Sequence, residues 1–205
     1  MRHFSLPSLV KLLAVPVLAL SLAGCFDATV DIEILDANSA HVTAVQTMTA
    51  QSFAALDVQR QSADAANPAL TWFCEDGDLS TAPNGDALCS YETRGRFRQF
   101  VVDDVDTGLT FKRLAADLVR VNIPVSAITN QFEAAPLPGQ QTDPLFAALF
   151  RNKTIALKIS GGLIVASNLT IAEDEMSASI KLKFTDVLAR SPSIPEAYYA
   201  VVRLP

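Results

Sequence analysis

The alternation of apolar and polar side chains begins early in this chain. Over residues 29–35, Val30, Ile32 and Ile34 fall on one side of an extended backbone, and Asp31 and Glu33 fall on the other. Asp36-Ala37-Asn38-Ser39 follows, a run of residues that bond their own backbone and tolerate tight turns. The alternation resumes from His41 to Thr49, and the whole predicts a β-hairpin. From Ala50 to Ala66 the period changes: Phe53, Leu56 and Arg60 lie at helical spacing, and Asn67-Pro68 ends the run. Ser90 to Thr93, Leu109 to Arg113 and Leu118 to Val125 read as extended segments. Pro136 to Gln141 is a loop, and Asp143 with Pro144 opens a short helix that reaches Phe150. The last third is the most regular. Thr154–Ser160, Leu163–Ile171 and Ser177–Phe184 are predicted strands of an antiparallel meander, joined by Gly161-Gly162 and by the polar turn Glu173-Asp174-Glu175. Ala178, Ile180, Leu182 and Phe184 point one way, while Ser179, Lys181 and Lys183 point to solvent. Pro192 and Pro195 break the pattern before Ala197–Leu204, a terminal strand or helix. The expected fold class is α+β: a mainly antiparallel sheet with one long helix and one short helix packed on one face.

The first 25 residues follow a different logic. Arg2 and Lys11 are basic, no acid precedes Asp27, and Leu12–Leu22 is an apolar run of 11 residues. A bilayer-spanning helix needs about 20; 11 is the length of a signal-peptide core. Leu22-Ala23-Gly24-Cys25 closes it. This tetrapeptide resembles the lipobox of bacterial lipoproteins at all four positions. The resemblance implies a signal peptide over residues 1–24, cleavage before Cys25, and acylation of its thiol and new amine. Two or three acyl chains, each adding about 0.8 kcal/mol per buried methylene, hold where one chain is marginal. The expected location is therefore the cell envelope, on a membrane through acylated Cys25. Phe26, rather than an acid, follows the cysteine and favours the outer membrane facing the periplasm over the inner one. Residues 25–205 are expected to form a single domain close to the bilayer, because strand pattern starts at Ala28 without a Ser/Gly/Pro tether.

Composition narrows the partners. Removing Arg2 and Lys11 leaves 14 basic side chains against 22 acidic ones, a formal charge of −8. Such a domain is ill suited to a phosphate backbone, so no nucleic-acid partner is expected. Of three cysteines, Cys25 is assigned to lipid. Cys74 and Cys89 lack Cys-X-X-Cys spacing and are expected to pair as a structural disulfide in an oxidising compartment.

Candidate chemistry is sparse. His41 is the one histidine after Cys25, sits in a predicted strand and has no nucleophile elbow to serve, so it reads as a surface or edge residue and no enzyme is expected. One histidine and two bridged cysteines do not make a zinc site, and no metal or cofactor is expected. Glu75-Asp76-Gly77-Asp78 offers oxygens for calcium but lacks the ligand spacing of a helix–loop–helix calcium site, and reads as a solvated acidic loop. Arg94, Arg96 and Arg98 alternate and can share a face, where they would meet an anion, a lipid headgroup or an acidic partner; Asp103, Asp104 and Asp106 follow as candidate neutralising charges. Trp72, Phe73, Tyr91, Phe97 and Phe100 flank this stretch and read as core before ligand platform.

Three features together resemble the LppM-like bacterial lipoprotein domain. A lipobox cysteine runs directly into an acidic-apolar hairpin over Cys25–Met48, a helix follows around Phe53–Gln61, and a strand, glycine turn, Ser-Asn and alternating strand occur at Ile159–Gly162, Ser167-Asn168 and Ile180–Phe184. That family's usual carboxy-terminal membrane helix is missing here. The resemblance implies an α+β fold likened to lipid-binding domains and supplies no catalytic residues. The functional expectation is a membrane-anchored, non-enzymatic envelope protein that binds a lipid, a glycolipid or another envelope protein. The alternative is a structural or assembly accessory without a small ligand.

Overall fold

The computed structural model describes residues 26–62, 73–74, 77–100, 109–126 and 152–205. The expected signal peptide over residues 1–24, Cys25, Trp72, Asp103, Asp104, Asp106, the expected 136–141 loop and the expected helix to Phe150 lie outside them.

The hairpin forms as its pattern requires. β1 (Phe26–Asp36) pairs antiparallel with β2 (Ser39–Met48), from Phe26 opposite Met48 at the base to Asp36 opposite Ser39 at the tip. Asp36 closes the turn with both oxygens: Oδ1 accepts from the Asn38 amide at 2.7 Å and Oδ2 from the Ser39 hydroxyl at 2.6 Å. α1 (Ala50–Ser62) leaves the base. β3 (Asp78–Thr81) and β4 (Ala87–Arg96) come next, then β5 (Thr110–Arg113) and β6 (Leu118–Pro124). β7 (Thr154–Ser160), β8 (Leu163–Ser167), β9 (Thr170–Ile171) and β10 (Ser177–Lys183) precede α2 (Phe184–Leu188) and β11 (Ala197–Arg203).

Two sheets result: seven strands ordered β3-β4-β2-β1-β7-β10-β9, and four ordered β5-β6-β11-β8. Their buried side chains form one cluster. Ile32, Ile34, Ile155, Leu157 and Ile159 come from the first sheet; Val119, Val121, Ile164, Tyr198 and Val202 come from the second; Phe184 and Val187 of α2 join them. This is sheet packed on sheet.

The α+β expectation is therefore overturned. The protein is mainly β, and the layer over the large sheet is a second sheet, not helices. The physical reason lies in β6, whose buried positions alternate strictly, and in β11, which buries Tyr198, Ala200, Val201 and Val202; together they supply an apolar sheet face. Of the α1 side chains described, Ser52 is buried, Phe53 is half-buried and Val58 is exposed. α2 has five residues. Phe53 instead meets Phe73, with ring centroids 5.9 Å apart, in a small separate cluster with Met48, Ala87 and Cys89.

The meander is corrected as well. β7 pairs in parallel with β1 and antiparallel with β10, so β8 is not its neighbour. Gly161-Gly162 is a passage from one sheet to the other, not a hairpin turn. Gly161 has φ +108° and lies against the Ile34 backbone, while Gly162 lies against the Arg203 carbonyl, leaving no space for a Cβ at either. The segment Leu163–Ile171, expected as one strand, splits between the sheets. β8 joins β11, and β9 joins β10. Asn168 makes the corner: its side chain donates to the Ala197 carbonyl at 2.9 Å and accepts from the Tyr199 amide at 2.7 Å. Of the two options for the terminal segment, the strand is the one observed.

Candidate functional site

The register of the large sheet decides which side chains meet outside. Ile32, Ile34 and Ala40 point inward, so Glu33, His41 and Arg94, which stand opposite one another across β1, β2 and β4, face solvent. His41 accordingly lies on the surface between two carboxylates, with Nε2 2.8 Å from Glu92 and Nδ1 3.6 Å from Glu33. Asp78, the described acid of the calcium candidate, sits exposed on β3, and among the described residues no three potential metal ligands converge.

The disulfide is present: Cys74 and Cys89 are bonded, with Cα atoms 5.2 Å apart. Cys89 is wholly buried beside Met48 and Ala87, so the bridge ties the segment before β3 to the base of the hairpin.

The arginine cluster comes together at the other end. Arg94 and Arg96 lie on the outward face of β4, with Arg96 opposite Ser39 at the hairpin tip. The strand ends at Arg96, and Arg98 belongs to a single 3-10 turn, Phe97–Gln99. The three do not share one strand, yet all three line one open depression with Leu35, Asp36, Ser39, Gly95 and Gln99, a space of about 500 Å³. A second, overlapping depression continues over Ala37, Asn38 and Phe97. Among the described residues, none of the three guanidinium groups has a carboxylate within 4.0 Å. Asp36 stands nearby. Its carboxyl is held below the usual value of 3.8 by the Ser39 hydroxyl, then by the Asn38 amide, with Arg96 adding a smaller attraction.

The backbone under this cluster is fixed. The Phe97 amide donates to the Asn38 carbonyl at 2.8 Å, and the Arg96 amide donates to the Gln99 side chain at 2.6 Å. A Cβ at Gly95 would displace the end of the Gln99 side chain from this position. Phe97 stacks on Phe111 of β5 at 4.5 Å, and Phe100 tilts onto the same ring at 5.5 Å. Phe73, Phe97 and Phe100 thus pack as core, as their sequence context suggested; Tyr91 borders the disulfide cluster. Tyr198, whose phenol burial pushes above its ordinary value, is likewise a core residue. Sequence reasoning missed Asp36, Ser39 and Gln99 as members of the arginine site. The Asp-Ala-Asn-Ser turn was visible, but nothing local announces that β4 returns beside it.

No family model matches the chain, and no curated protein matches it. Among solved structures, the chain is weakly similar to the folded domain of LppM from Mycobacterium tuberculosis, determined by NMR. The two are 11% identical over 88% of this chain and 90% of that one, with a TM-score of 0.46.

Proposed function

We propose that this chain is a cell-envelope lipoprotein, anchored through acylated Cys25, that works without catalysis by binding an anionic group at Arg94, Arg96 and Arg98. One observation carries the binding half: three guanidinium groups surround one open depression on a rigid backbone, uncommitted to any carboxylate among the described residues. Planar guanidinium forks suit carboxylate and phosphate oxygens. The backbone beneath them is already fixed by its own hydrogen bonds, which lowers the ordering cost of binding. The depression is open and polar in outline, which favours a headgroup or an acidic side chain over a buried acyl chain. The anchor half rests on Leu22-Ala23-Gly24-Cys25 at the end of an 11-residue apolar run, with the outer membrane facing the periplasm as the favoured site.

Lipid labelling in cells tests the anchor. Cys25→Ser loses the label and accumulates unprocessed or soluble protein; retained labelling overturns the anchor. Binding of a polyanionic probe to the full-length protein tests the site. Arg94→Glu with Arg96→Glu abolishes capture, and unchanged capture overturns it.

A second reading, an assembly accessory acting through a sheet edge, draws on β3. All four of its residues are exposed at the edge of the large sheet, Leu79 among them. Co-purification of an envelope protein that is lost with Leu79→Lys and kept with the arginine variant favours that reading.

A further inference from the structure

β3 covers β4 only in part. It pairs with Ala87 to Ser90, and among the described residues no strand lies beside Glu92–Arg96 on that side. Four of those five residues are exposed. Among the described residues β4 therefore ends in a stretch of open sheet edge, and an open edge presents backbone amides and carbonyls to any extended chain. Arg94 and Arg96 stand on alternate residues of this edge, roughly 7 Å apart along it. Alternate side chains of an added strand repeat at the same interval. The Glu92 carboxylate reaches His41 on β2 at 2.8 Å, on the side of β4 away from this edge.

Placement restricts the ligand further. Cys25 immediately precedes Phe26, at the base of β1, and the arginines lie at the tip. The ten residue steps of β1 separate the two by about 33 Å. With the proposed lipid anchor at one end of the strand, the arginines lie at the other end. Asp36 lines the same depression and adds a negative charge there.

We infer that the open edge of β4, Glu92–Arg96, receives an extended acidic segment of a partner protein, on the side of the domain away from the anchor. The segment adds as a strand beside β4, and carboxylates at alternate positions pair with Arg94 and Arg96, while Arg98 and Gln99 close the far end. Backbone pairing supplies affinity and the guanidiniums supply selectivity, the division of labour seen wherever a peptide joins a sheet edge. The inference rests on the reading of the three arginines as an anion site.

The test uses the full-length lipidated protein in phosphatidylcholine vesicles. An eight-residue peptide of alternating Glu and Thr binds, and Arg94→Glu with Arg96→Glu weakens it at least tenfold. The same peptide N-methylated at alternate amides keeps its charge and also loses at least tenfold. Equal binding of the methylated peptide overturns edge addition. Inorganic phosphate or phosphatidylglycerol vesicles bound in place of the peptide, and lost in the arginine variant, overturn this inference and leave the anion site standing. Binding of none of the three overturns both. A second measurement does not depend on the arginine variant folding. Energy transfer to a dye in the bilayer is stronger from a donor on Thr49→Cys, at the hairpin base, than from one on Ala37→Cys, at the tip. Equal or reversed transfer overturns the distal placement.

Discussion

The two ends of the β1–β2 hairpin handle charge in opposite ways. At the base, Asp27 is consumed by the fold: Oδ1 accepts from the Thr154 amide at 2.9 Å and its hydroxyl at 2.8 Å, and Oδ2 meets Lys153 at 3.4 Å. Beside it, the disulfide, Met48 and Ala87 close a small core. At the tip the backbone is as firmly held, through Asp36, Asn38 and Gln99, yet the long side chains are left over. A charge with its hydrogen bonds satisfied inside the molecule reports on stability. A charge on a fixed backbone, with no carboxylate within 4.0 Å among the described residues, points to something outside the molecule.

This contrast can be broken by experiment, beginning where the effect is largest. Gly161→Ala puts a Cβ into the Ile34 backbone at a φ that L residues avoid, and costs about 3 kcal/mol or more. Denaturant unfolding measures it, and a neutral result denies that the tip backbone is rigid. Replacing Cys74 and Cys89 together by Ser releases the base and lowers stability by about 3 kcal/mol, as expected for a loop of about 15 residues. Unchanged melting of the double variant removes the bridge from the account. Asp27→Asn costs about 1 kcal/mol, because the Thr154 bonds weaken and the Lys153 pairing loses its charge. Arg94→Gln with Arg96→Gln changes stability by less than about 0.5 kcal/mol, since no structural partner is lost. A large loss there makes the arginines structural and erases the contrast. The smallest effect is acid sensitivity at the turn. Asp36 has a depressed folded-state value, so its support is present above the ordinary 3.8 and disappears as pH falls through the lowered one. Asp36→Asn flattens that part of the acid unfolding profile.

Some of this was legible in the residues and some was not. The hairpin was, because Val30, Ile32 and Ile34 alternate and Asp36 to Ser39 can only turn. The Cys74–Cys89 bridge was, once Cys25 was set aside. The grouping of Arg94, Arg96 and Arg98 was legible as a charge cluster, although its turn geometry and its neighbours across the sheet were not. Strand partners were the main failure. Period-two alternation tells a strand which way its side chains face and says nothing about who lies beside it. Thr154–Ser160 and Leu163–Ile171 therefore looked like a meander, while β7 went to β1 and the second segment was divided at Asn168. The Ser167-Asn168 pair was the available clue, because an asparagine that bonds backbone groups can stand in for a missing strand partner. The helical layer failed for a related reason: helical spacing in Ala50–Ala66 marked a helix, and its few apolar side chains were too little surface to cover a sheet.

The parallel pairing of β1 with β7 also sets a timetable. β1 is the fourth of the seven strands, the central one, flanked by β2 and β7. Its first neighbour is synthesised almost at once, across a two-residue turn, but its second begins at residue 154. Until then the hairpin carries Val30, Ile32 and Ile34 beside a vacant edge, the state in which strands pair wrongly with other chains. Closure over so long a stretch of chain is slow. A domain built in this order gains from being kept unfolded, or held by a chaperone, until its last quarter has arrived.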